Sequence, residues 1–337
     1  MKKISLLFML LGLMSCQQDD SYDPIIDNPV LALTIPADFP ALNPAFEKNK
    51  PTQYGVELGK KLFFDPRLSR DNTIACATCH IQASAYADHQ KQGVGIEGKV
   101  GLRNVPPIQN LAFMRHYNWD GSKLQLENQV IVPIITPEEM HSSLVEVMDK
   151  IQEDPAYVDL FQKTFGNPSI TPERIYQSIA QYEYTLISAD SKYDRVKRKE
   201  AVFTPLENKG NALFTQHCAS CHSGALFTDQ SFRNIGFPVN TDSNEAGRAR
   251  VTGDLKDYMS FRVPSLRNIE YTAPYGSFGQ FETLQDVLDY MDQGVLVSAN
   301  LDPIFKDNSN RIPLTKEEKE ALLAFMNTLS DTNFIQH

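Results

Sequence analysis

Apolar residues in this chain recur at helical intervals. Behind Thr315-Lys316-Glu317-Glu318 they fall at Leu322, Phe325, Met326 and Leu329, and behind Thr283 at Leu284, Val287, Leu288 and Met291. Each set covers one face of a 3.6-residue period. Starts are marked as well. Thr followed by Pro or Glu opens Thr136-Pro137-Glu138-Glu139, Thr171-Pro172-Glu173 and Thr204-Pro205-Leu206-Glu207, the residues that satisfy the free N–H groups of a first helical turn. No segment sustains the period-two alternation of a half-buried strand. The pattern predicts a mainly α fold.

The first residues follow another rule. Met1-Lys2-Lys3, an apolar run from Ile4 to Met14 and then Ser15-Cys16 make a secretory signal, too short to span a bilayer. Leu13-Met14-Ser15-Cys16 resembles a bacterial lipobox, which would make residues 1–16 a lipoprotein signal and Cys16 the lipidated first residue. A plain signal with an incidental Cys is the alternative. Residues 17–50 carry Pro24, Pro29, Pro36, Pro40 and Pro44 without helical periodicity and read as a tether. The rest suits two domains, placed at 51–200 and 201–337.

Cysteine gives the chemistry. Of five Cys, four form Cys76-Ala77-Thr78-Cys79-His80 and Cys218-Ala219-Ser220-Cys221-His222, the pattern of c-type haem attachment. Two thiols add to the porphyrin vinyl groups and the adjacent His becomes an axial iron ligand. A four-Cys zinc site is the alternative, but zinc ribbons keep their pairs about 15–20 residues apart. With Cys16 lipidated, no thiol remains for a disulfide. Haem attachment outside the bacterial cytoplasm agrees with the export signal and points to the cell envelope or periplasm. The formal charge of -10 disfavours a nucleic-acid partner and is compatible with a basic redox partner.

Long, weakly periodic stretches rich in Gly, Asn and Asp follow each motif, from Ile81 to Asn118 and from Ser223 to Ser265. Loops of that length are usually functional, and these are expected to wrap the haem edges. Leu102-Arg103-Asn104-Val105-Pro106 and Val263-Pro264-Ser265-Leu266-Arg267-Asn268 each follow one of the motifs, a weak internal repeat. Two similar cytochrome c-like domains, each with one haem, follow.

Gly59-Lys60-Lys61-Leu62-Phe63-Phe64-Asp65-Pro66-Arg67-Leu68-Ser69, Trp119-Asp120-Gly121, Pro133 with Glu139-Met140, and Leu266-Arg267-Asn268 through Thr272-Ala273-Pro274-Tyr275 resemble, in order, the segments of bacterial di-haem cytochrome c peroxidases. The resemblance runs from about Tyr54 to Leu329. It implies a peroxidatic haem on His80 and an electron-transfer haem held by His222 and Met291; from periodicity alone Met291 is equally a core residue. In the related methylamine-utilisation-type enzymes the Met291 position is commonly Tyr. Glu139, Gln129 and Pro133 become the distal pocket of the first haem, although Glu139 also reads as the end of a capping box begun at Thr136. Trp119, otherwise a packing residue, becomes the bridge between haems. A calcium site would use the Asn104 side chain and the carbonyls of Thr272 and Pro274.

The implied activity is reduction of hydrogen peroxide to water with electrons from a small redox protein such as a cytochrome c. The alternatives are a di-haem oxidase that modifies a partner protein and a non-enzymatic di-haem carrier. Members of the family are often homodimers. Two positions depart from the family: Ile96 stands beside Gly95 where many members carry a His that blocks the first iron, with His89 and His116 as substitutes, and Ser277 replaces a His near the second haem.

Overall fold

In a computed structural model, residues 27–239 and 245–336 are described. The signal, Cys16 and the first part of the segment read as a tether lie outside them. The described chain is mainly helical, its only sheet being the antiparallel pair Phe232–Arg233 and Phe261–Arg262. Most of the marked starts operate. Thr171 caps Pro172–Tyr184, and Thr204, Thr283 and Thr315 each close a capping box over Pro205–His217, Leu284–Gln293 and Lys316–Asn327.

Apolar side chains separate into two clusters, one built around Leu58, Leu62, Phe161 and Ile179, the other around Phe214, Leu322, Phe325 and Leu329. Each is organised by a pair of helices that touch at a glycine. A Cβ on Gly59 would lie 1.9 Å from the Ser178 carbonyl oxygen, and one on Gly210 1.9 Å from that of Ala321. Gln53–Phe63 thus presses on Pro172–Tyr184, and Pro205–His217 on Lys316–Asn327.

The tether reading fails in its second half. Phe39 and Phe46 are buried in the first cluster, and Asn43 donates to the Met114 carbonyl at 2.7 Å. Proline suppresses helix here, but the aromatic side chains still reward docking. The division placed at 200/201 also moves. Leu186 and Ile187 pack with the first cluster, whereas the Tyr193 ring is tilted against Phe203 and meets Phe227 and Phe325 edge-to-face. Asp194 pairs with Arg267 at 2.8 Å, both almost fully buried, so Tyr193 and Asp194 already pack with the second half of the chain.

A further correction concerns Thr136. Thr136 does not open a helix; it closes Leu126–Ile135, and the next helix starts at Leu144 under Ser143. Pro137 disfavours the α conformation at Thr136, which has ψ 125°. The chain turns instead, with His141 N–H donating to the Thr136 carbonyl.

The internal repeat is clearer in the fold than in the sequence. The two Leu-Arg-Asn triplets are not equivalent. The correspondence runs through Val105-Pro106 and Val263-Pro264 and continues without a gap to Ile135 and Gln293. Asn110 and Asn268, at φ 58° and 57°, open the short turns Leu111–Phe113 and Ile269–Tyr271. The bridges Tyr117–Lys123 and Tyr275–Phe281 follow, then the helices Leu126–Ile135 and Leu284–Gln293. The equivalent residues Gln109 and Arg267, 158 positions apart, are hydrogen-bonded where the two copies meet.

Candidate functional site: two facing cavities

Cys76–Cys79 form a single helical turn, which sets the two sulfurs three residues apart on one side. The turn ends in His80, whose N–H donates to the Cys76 carbonyl at 2.9 Å. The second motif repeats this turn, with His222 N–H donating to the Cys218 carbonyl at 2.9 Å. His80 Nδ1 lies 2.9 Å from the Tyr86 carbonyl oxygen and His222 Nδ1 3.0 Å from that of Phe227. A carbonyl only accepts, so Nδ1 carries the proton and Nε2 keeps its lone pair for a metal. Burial lowers the pKa of both rings, favouring the neutral form an iron ligand needs.

His80, Cys76 and Cys79 open on a cavity of about 450 Å³ whose wall includes Gln129, Pro133 and Glu139. Glu139 therefore faces the space over the first motif, and its capping-box reading is void because no helix follows Thr136. Burial, and then the neighbouring Glu138, push its carboxyl up to about 7. The loop with the first of the two departures from the family, Ile96, holds it there. Ile96 N–H donates to the Glu139 carbonyl at 2.8 Å, and a Cβ on Gly95 would lie 2.2 Å from the Glu138 oxygen. The Ile96 side chain is fully buried and does not line the cavity. Of the two substitutes, His89 bonds Ser84 at 2.7 Å away from the cavity wall, while His116 lines it.

The second cavity, about 350 Å³, is lined by Cys218, Cys221, His222 and Met291, with Ser277 in its wall. Ile312 N–H holds the Met291 carbonyl at 2.8 Å. Met291 is half-buried at the edge of the core, so periodicity alone did not separate ligand from packing. Its equivalent on Leu126–Ile135, in the first copy of the repeat, is Pro133, which has no donor atom for iron.

Trp119 and Asn104 line both cavities. Trp119 Nε1 donates to the Asn104 carbonyl at 2.9 Å and its own carbonyl accepts from Arg262 N–H at 2.8 Å. The indole is thus fixed between the two haem spaces. Asn104, Thr272 and Pro274 all border the second cavity. Asn104 Nδ2 is engaged by the Gln90 carbonyl at 3.0 Å, which leaves its Oδ1 as the side-chain atom able to face a cation.

Two residues at the first cavity escaped sequence reading. Glu183 is buried with Oε2 lacking a partner among the described residues, and burial, then Glu127, push its carboxyl up to about 8. Its signal was spacing: Ile175, Ile179 and Glu183 follow one another at four-residue intervals, which puts a carboxyl on a buried face. Arg262 lines both cavities with a buried side chain, and nothing in its sequence neighbourhood marks it.

Paired apolar cavities, each walled by two Cys and a His with a free Nε2, fit covalent haem c. Residues 53–202 match the family model described as di-haem cytochrome c peroxidase. The chain is 35% identical to the methylamine utilization protein MauG of Methylorubrum extorquens, over 83% of this chain and 79% of that protein. It is 34% identical to the cytochrome c551 peroxidase of Nitrosomonas europaea, over 82% and 79%. A MauG-like protein associated with microbial copper homeostasis superposes with a TM-score of 0.82 at 29% identity, covering 90% of this chain and 97% of the other. Motifs, paired cavities and these similarities converge: the chain belongs to the di-haem cytochrome c peroxidase family.

Proposed function

We propose that the protein reduces hydrogen peroxide to water at the first haem, using electrons received at the second from a small redox protein. The observation that carries this reading is the contrast between equivalent positions: a potential iron ligand, Met291, in one copy, and in the other Pro133 beside Glu139 and Gln129. The bound haems would supply the peroxide-binding iron and the redox equivalents. Glu139 takes a proton from the inner peroxide oxygen and returns it to the outer one. Gln129, held loosely by Asn118 at 3.4 Å, donates a hydrogen bond to the departing oxygen. Trp119 carries the electron path between the cavities.

Similarity alone does not choose between branches, since the MauG relative and the peroxidase relative are equally close. Met291, where the methylamine-utilisation type commonly has Tyr, supports the peroxidase. Val239, Tyr258, Leu296 and Val297 form an exposed apolar rim on the second cavity, which supports electron entry there from a docked protein. Periplasmic location, lipid anchoring through Cys16, a homodimer and calcium at Asn104, Thr272 and Pro274 complete the proposal.

The test is steady-state peroxide consumption by the two-haem protein with a reduced cytochrome c or an artificial donor. The reading expects many turnovers per molecule, lost in Glu139→Gln with both haems still attached. A wild-type protein that stops after one turnover with every donor would point to oxidation of a partner protein. One that ignores peroxide, with both irons low-spin, would be a carrier.

A further inference from the structure

Among the described residues, Arg262 is the one cation near the haem spaces that is buried without an anion. Arg103 is bound by Asp120 at 2.8 Å and by Glu245 at 2.8 Å. Arg248 donates to the carbonyls of Asp120 and Gly121 at 2.8 and 3.1 Å and lies over the Phe232 ring. The Arg262 side chain has only two long contacts, from Nε to the Asn118 carbonyl and from Nη1 to the Val263 carbonyl, both at 3.4 Å, and no carboxylate within ion-pairing distance among the described residues. Burial pulls its pKa down to about 10, and Tyr117 is the one group that opposes this. A buried guanidinium in such surroundings requires a counter-charge.

The missing anion is identifiable from the walls. Arg262 lies in the strand Phe261–Arg262, part of the second half of the sequence, yet its Nε faces Asn118, and Tyr117 and Asn118 border the first cavity only. A porphyrin attached at Cys76 and Cys79 brings two propionates into that cavity. Guanidinium and carboxylate match as a planar, two-pronged pair.

We propose that Arg262 binds a propionate of the first haem, so that the second half of the chain supplies the charge that seats the first porphyrin and sets its reduction potential. The first haem site is then incomplete in the isolated first domain. The cation favours the reduced, less positive iron, and its removal makes the first haem harder to reduce. This inference rests on haem attachment at Cys76 and Cys79 and not on the peroxidase activity.

The test uses the full-length two-haem protein. Bound haem is counted first, and the potentials of the two haems are then separated by spectroelectrochemical titration in wild type, R262Q and R262K. Arg262→Gln lowers the potential of the first haem by about 59 mV, a tenfold change in its one-electron equilibrium, and leaves the second unchanged. Arg262→Lys keeps the charge and recovers more than half of that shift, which a purely structural role would not produce. R262M retains the aliphatic stem and carries the R262Q expectation should R262Q not mature. An unmoved first potential, a shift centred on the second haem, or equal shifts in R262K and R262Q would overturn the assignment. Absence of haem from the first motif of the wild-type protein would instead defeat the attachment reading.

Discussion

Pro133 and Met291 occupy the same position in two copies of one structural unit, each the eighth residue of its helix, Leu126–Ile135 and Leu284–Gln293. One copy offers a thioether to the space in front of its histidine and the other a side chain with no lone pair. On the proposed ligand assignment, the difference in ligand number that separates electron transfer from small-molecule chemistry is one substitution within a duplicated frame. Replacing Pro133 by Met should copy the second site onto the first. The expected outcome is loss of the high-spin ferric signal in electron paramagnetic resonance together with peroxide turnover, with two haems retained. Met291→Ala should do the reverse, adding a second high-spin signal. A P133M protein with unchanged spectrum and activity would show that the copies place their helices differently.

Glu139 should govern the pH dependence of turnover. Its carboxyl is raised to about 7 by burial and by Glu138, and only the ionised form accepts the proton of the incoming peroxide. The value of kcat/KM is expected to rise as pH climbs through about 7. Glu139→Gln should abolish this limb and lower kcat by about 10²–10⁴, the range for loss of general acid–base catalysis. Stopped-flow measurement across pH 5 to 9 decides it; a flat wild-type profile removes Glu139 from the proton path.

The sequence revealed features whose cause is local. Cys-x-x-Cys-His carries its own geometry, and Thr171, Thr204, Thr283 and Thr315 cap helices because their partners lie within four residues. Thr136 displays the same letters and ends a helix, because Pro137 disfavours helical backbone there and the helix before it, Leu126–Ile135, opens behind Gln125 with no side-chain cap to mark it. Phe39 and Phe46 sit among prolines, and only their partners across the fold show that they are core. Arg262 is the extreme case, because the group that explains its charge is not encoded in the chain. The family resemblance supplied Gln129 and Glu139, the second of which the local pattern assigned to a capping box.

The buried pair Asp194–Arg267 fastens the segment after the first core to the second. Asp194 accepts from both terminal nitrogens of Arg267 at 2.9 and 2.8 Å, and Ser191 donates to the same carboxylate at 2.7 Å. Asp194→Asn leaves a guanidinium that is 1% exposed without its counter-charge. A loss of about 3–5 kcal/mol is expected, read by denaturant unfolding of the two-haem protein. The double variant D194N/R267M should lose less, because the stranded charge is gone. A D194N protein within about 1 kcal/mol of wild type would contradict this account.

Glu183 should act on stability in the opposite pH direction from Asp194. Burial would raise the Asp194 carboxyl, but Arg267 and Ser191 hold it below the ordinary range, so its contribution is complete at neutral pH and fades as pH falls through its folded value. Glu183 is raised to about 8, by burial and then by Glu127. Below about pH 4.5 it is protonated in both folded and unfolded chains and costs nothing. As pH climbs toward 8 the unfolded chain ionises while the fold retains the proton, and the fold loses stability by linkage. Glu183→Gln removes the ionisation and keeps the shape. It should lie within about 1 kcal/mol of wild type near pH 5 and exceed it at pH 8 by on the order of 4 kcal/mol. Thermal unfolding of the two proteins across that range tests the sign, and a Gln variant less stable than wild type at pH 8 would mean that the folded protein needs the Glu183 carboxylate charged.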